Sequence, residues 1–162
     1  MSWASVMVTN LAIVATWVAL GLLVGFKAFL IIHLPIMLIG AWVGVWMFYV
    51  QHQFNPTYWD RAPVWEREFA ALHGSSFYDL PKPLMWLTGN IGIHHVHHLS
   101  SRIPFYRLPQ VLRDFPELAE IGRLTLLESF RCVPLALWDE DRRRLVPFRS
   151  VRGRMAGAAA AA

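Results

Sequence analysis

Four of the seven histidines fall within five positions, His94-His95-Val96-His97-His98. Imidazole can act as a base, a proton carrier or a metal ligand, and spacing decides among these roles. On a helix His97 and His98 stand three and four residues beyond His94 and share its face, while His95 points elsewhere. Three neutral imidazoles on one face suit a metal ion, and ligand type admits iron, zinc, copper or nickel without choosing among them. A solvated surface cluster is the competing reading, but Ile93 and Leu99 flank the rings and make them hard to hydrate. Cys132 is the lone cysteine, which excludes a cysteine-built zinc module and a disulfide-stapled scaffold alike. A haem held between spanning helices would use isolated histidines inside apolar runs, and only His33 is so placed.

His52 is a fifth candidate ligand, because it directly follows a long apolar run and so lies at a membrane face. A membrane-hugging segment ending in the His94 to His98 cluster would bring both to one place. His33, near the start of that run, reads as an interface residue reaching the headgroups. His73, before Gly74, reads as a cap on the last carbonyls of a helix.

The elements that must position these rings divide the chain by charge. Only Lys27, of 15 Lys plus Arg and 11 Asp plus Glu, falls in the first 50 residues. Residues 6–26 are uncharged, and as a helix they measure about 31 Å, against a hydrocarbon core of roughly 30 Å. Residues 28–50 form a second uncharged run, with Pro35 expected to mark where regular helix begins. A signal peptide would need a basic start, and Met1 to Met7 carry no charge. Gly25, Phe26 and Lys27 form the tip of a tight hairpin, and Gly21-x-x-x-Gly25 and Gly40-x-x-x-Gly44 would allow close helix packing. Fourteen of the 15 basic residues follow position 51, which places that side in the cytoplasm by the positive-inside tendency.

Beyond Gln51 the pattern predicts short helices and loops: a helix over Ala62 to Leu72, an interfacial or re-entrant stretch over Leu84 to Ile93, and a helix opened by Asp114-Phe115-Pro116-Glu117 and running to about Arg131. From Arg142 six arginines and an alanine run predict a frayed tail. The expected organisation is therefore an all-α membrane protein: a transmembrane helical hairpin over 1–50, a cytoplasmic or interfacial helical region carrying the histidine box over 51–141, and a basic, Ala-rich, disordered tail over 142–162.

Three stretches together carry a resemblance: Gln51-His52-Gln53-Phe54; Gly74-Ser75-Ser76-Phe77-Tyr78; and Gly89-Asn90-Ile91-Gly92-Ile93 running through the histidines to Leu99-Ser100-Ser101-Arg102-Ile103-Pro104. They resemble the C-terminal half of membrane fatty acid desaturases, and among those the bacterial acyl-lipid group related to the delta-12 (omega-6) enzymes. The resemblance implies an O₂-dependent oxidoreductase with two iron ions held by histidines. His94, His97 and His98 fill its HxxHH box, and His52 matches a histidine near the metals. His95 and Asn90 would be supporting neighbours, Asn90 holding an imidazole N–H or a bound water. The implied partners are a membrane lipid or acyl substrate, O₂ and an external electron donor of ferredoxin or cytochrome type, with no nucleic acid. The family's two other boxes lie upstream of this one, yet no histidine precedes His33. Four or five ligands stand where two irons need about eight, so the chain is expected to be part of a desaturase and inactive alone. A related di-iron hydroxylase of carotenoids or alkanes, or a membrane metal-binding protein without catalysis, are the alternatives.

Overall fold

A computed structural model describes residues 3–151, so residues 152–162 of the expected tail lie outside the described residues. The chain divides into two compact units between Val45 and Trp46. The first holds helix α1 (Trp3–Val24) and most of α2 (Phe26–His52). At 1.5 Å per residue they measure about 33 and 40 Å, long enough to cross a bilayer, and they are apolar enough to do so. Their apolar side chains are almost all exposed, as they would be against lipid and not in a protein core. The few hydroxyls bond inward: Thr9 and Thr16 donate to the carbonyls of Ser5 and Ala12 at 2.9 and 2.8 Å.

Gly25 ends α1 with φ +89°, the left-handed conformation that glycine adopts freely. α2 restarts at once, Phe29 N–H donating to the Gly25 carbonyl at 3.0 Å. Pro35 thus lies inside the helix and not at its beginning, a correction to the sequence reading. Interior proline is better tolerated in apolar spanning helices than elsewhere. Gly21 packs against the Phe26 ring, where a Cβ would overlap it, whereas Gly40 and Gly44 face open space. His33 sits in an aromatic box, stacked on Phe29 with centroids 4.8 Å apart and meeting the edge of Trp17 at the same distance.

In the second unit the last two turns of α2 become core, with Met47, Val50 and the following Phe54 buried beside Tyr78, Leu80, Leu124 and Cys132. A second cluster joins Phe77, Ile93, Val96 and Leu108. Strand β1 (Phe77–Asp79) separates them, because successive side chains point to opposite faces: Phe77 enters one cluster and Tyr78 the other. Four short helices frame this core: α3 (Arg67–His73), α4 (Lys82–Leu87), α5 (His94–Leu99) and α6 (Leu108–Asp114).

The region is mostly helical, but two small strand pairs replace elements expected to be helix or tail. β1 pairs in parallel with β2 (Arg123–Thr125), Tyr78 opposite Leu124. β3 (Leu137–Asp139) pairs antiparallel with β4 (Arg144–Val146), so the segment from Arg142 begins folded and not frayed. Asn55 holds that hairpin as a strand would, its amide donating to the Leu145 carbonyl at 2.9 Å and accepting from Leu145 N–H at 3.0 Å. The helix expected from Asp114 to Arg131 breaks into a 3₁₀ turn over Pro116–Glu120, the strand β2 and helix α7 (Leu126–Ser129). Gly122, at φ +58°, makes the break. The capping box lies at Thr125 and Glu128 instead, where Thr125 N–H donates to the Glu128 carboxylate at 2.9 Å. The helix expected from Ala62 starts only at Arg67.

Candidate metal centre

Two elements of the second unit bring three imidazoles together. His52 is the last residue of α2, and His94 and His98 lie one turn apart on α5. α5 is placed from beneath: Ile93 and Val96 are fully buried, and Tyr78 N–H donates to the Gly92 carbonyl at 2.7 Å. One ring nitrogen from each of His52, His94 and His98 lies within 4.8 Å of the other two. His98 Nε2 is 3.2 Å from His52 Nε2 and 3.0 Å from His94 Nε2.

Hydrogen bonding fixes part of the proton arrangement. His52 Nδ1 lies 2.8 Å from the Phe48 carbonyl, and a carbonyl only accepts, so Nδ1 carries the proton and the Nε2 lone pair faces the cluster. One proton on His98 Nε2 could satisfy His52 or His94 but not both. Unpaired acceptor density therefore converges at this point, which a cation would relieve. His94 is buried and its Nδ1 has no hydrogen-bond partner among the described residues. Burial, reinforced by His98, His52, His97 and His95, depresses the His94 pKa to about 3. Burial, then His52 and His97, lowers that of His98. Neutral imidazole is the ligand form, so these rings need lose no proton to bind a metal.

The two spacings around His98 suit one ion: metal–imidazole bonds of about 2.0–2.1 Å put adjacent ligand nitrogens about 2.9–3.4 Å apart, and His98 Nε2 stands 3.2 and 3.0 Å from its neighbours on His52 and His94. The remaining sequence candidates lie elsewhere. The His97 ring is stacked 5.7 Å from that of His94, outside the three-nitrogen group. His95 is fully buried on the opposite side, with Nε2 2.9 Å from the Leu118 carbonyl. Asn90 is a turn residue at φ +56°, its amide donating to the Phe105 carbonyl at 3.3 Å and so tying the turn before α5 to the 3₁₀ turn over Phe105–Arg107. His73 ends α3 and holds the Phe69 carbonyl at 3.1 Å. Gln51, not singled out from the sequence, is 2 % exposed and donates to the Ile91 carbonyl at 2.9 Å. Its place in the Gln51-His52-Gln53-Phe54 stretch, at the end of an apolar run, was the available signal.

Comparison with known proteins converges on one family. The profile described as fatty acid desaturase matches residues 1–128, which include both long helices, His52 and the whole histidine box. A curated protein named fatty acid desaturase from Bacillus subtilis (strain 168) is 46% identical over 144 residues, covering 89% of this chain. The chain spans 41% of that relative's length. No solved structure matches it. With a matching profile over most of its length and a relative of this identity, the chain belongs to the fatty acid desaturase family.

Proposed function

We propose that this chain supplies part of the metal centre and part of the acyl groove of a membrane desaturase that introduces a cis double bond into a lipid acyl chain. The observation that carries the proposal is the convergence of His52, His94 and His98 at the end of a long apolar helix. An alkyl C–H bond yields to no protein side chain, and bound iron would supply the activation of O₂ that the reaction requires. The balance is simple: two hydrogens leave adjacent carbons, an external donor gives two electrons with two protons from solvent, and O₂ becomes two waters.

The chain's own residues do three things in this scheme. His52, His94 and His98 present ring nitrogens to one ion, and His97 is the next imidazole available to a second. His94 is buried, which keeps bulk water from that side of the centre. The apolar helix that ends in His52 offers an acyl chain a surface leading toward the ligands. In this reading the two long helices, long and apolar enough to do so, cross the membrane, and the excess of basic residues beyond position 51 favours a cytoplasmic histidine region.

The test is lipid analysis of a host lacking desaturases, expressing this chain joined to the segments that complete its relative's length. A new cis double bond, lost with His98→Ala, is expected. A hydroxylated chain would assign the protein to the hydroxylases instead, and metal binding without altered lipid would leave a non-catalytic binder.

A further inference from the structure

Gln51 stands beside a proposed ligand and does nothing in the scheme above, yet its side chain is almost wholly buried. Its Nε2 donates across 40 residues to the Ile91 carbonyl at 2.9 Å, and the Gln51 backbone carbonyl accepts from Ser76 N–H at 2.9 Å. Ser76 leads into β1, and Tyr78 of that strand donates to the Gly92 carbonyl at 2.7 Å. Three hydrogen bonds thus close a ring through the end of α2, the start of β1 and the turn before α5. His52 follows Gln51 directly, and His94 lies three residues beyond Ile91. His94 and His98 share one short helix and keep their spacing by helix geometry alone. The distance of His52 from that pair instead depends on how the end of α2 is fastened to the turn before α5.

We propose that Gln51 is a positioning residue whose side-chain bond to Ile91 sets the separation between His52 and the His94–His98 pair, and so decides whether three nitrogens or two bind one ion. The proposal rests on the metal-centre reading above. Losing the donor would leave the half-buried Ile91 carbonyl without this partner and release the turn, and partners that orient ligands typically contribute 10–100-fold to metal affinity.

The test measures Co(II) affinity of the full chain in nanodiscs, with its visible ligand-field bands, for wild type, Gln51→Met, His52→Ala and the double variant. Gln51→Met should bind Co(II) at least about 10-fold more weakly and with the band pattern of His52→Ala. Adding Gln51→Met to His52→Ala should change affinity by less than about twofold, because without His52 the spacing no longer matters. Should Gln51→Met fail to fold, Gln51→Leu removes the donor with another apolar side chain and replaces it in the cycle. Losses that multiply in the double variant would show a merely structural role and overturn the proposal, as would wild-type affinity in both Gln51 variants. A wild-type chain that binds no Co(II) would overturn the metal-centre reading itself, an outcome visible before any variant is compared.

Discussion

His94 and His95 are adjacent, both buried, and should fail in opposite ways when truncated. His94→Ala removes one of three nitrogens from the proposed ion. A four-ligand zinc site is worth about 10–16 kcal/mol, or about 2.5–4 kcal/mol per ligand, so affinity should fall about 10²–10³-fold. Stability of the metal-free protein should hardly change, since the lost ring had an unpartnered Nδ1 and crowded neighbours. His95→Ala leaves the three nitrogens in place but strips the Leu118 carbonyl of its 2.9 Å partner and opens a cavity beside Phe77. The Leu118 carbonyl keeps Ile121 N–H at 3.3 Å, so the lost hydrogen bond costs about 0.5–1.5 kcal/mol and the cavity adds to it, for a total of about 3 kcal/mol. In a chain of this length that is a fall in Tm of about 6–12 °C. Isothermal titration with Co(II) and thermal melts in detergent read the two effects separately. If His95→Ala weakened metal binding as much as His94→Ala with an unchanged Tm, the assignment of the two rings to opposite faces of α5 would be refuted.

Acid should act through the same rings in metal-free protein. His94 titrates at about 3 when folded against about 6.5 when unfolded, so the unfolded state takes up the extra proton; stability should be full above pH 6.5 and fall progressively toward pH 3, as followed by denaturant midpoints across that range. Asn55→Ala removes both hydrogen bonds to Leu145 and should cost about 1–3 kcal/mol, with hydrogen exchange quickening over β3 and β4 while α5 keeps its protection.

The two long helices were legible because an uncharged run of bilayer length is a strong one-dimensional signal. The pairing of His94 with His98 follows from their spacing of four, but His97, expected on the same face, lies outside the three-nitrogen group. The convergence of His52 with His94 and His98 was suggested by position at the end of an apolar run, though the separations came only from the fold. Strands of three residues carry no readable period, so β1 to β4 passed unnoticed, and the proline and glutamate after Asp114 imitated a helix start that Gly122 and pairing with β1 cut short. Asn90 looked like a histidine partner by its spacing of four from His94, but its positive φ turns the amide toward Phe105. The contacts of Gln51 with Ile91 and of Asn55 with Leu145 join residues 40 and 90 positions apart, beyond the reach of any local pattern.

The central claim is that His52, His94 and His98 hold one ion. X-ray absorption on protein loaded with one equivalent of iron or cobalt measures it directly, through metal–nitrogen distances and the outer-shell scattering that marks imidazole. Nitrogen ligands at about 2.0–2.1 Å, with imidazole scattering from three rings that drops to two in His52→Ala, are predicted. Imidazole scattering unchanged by His52→Ala would remove His52 from the centre and contradict the account.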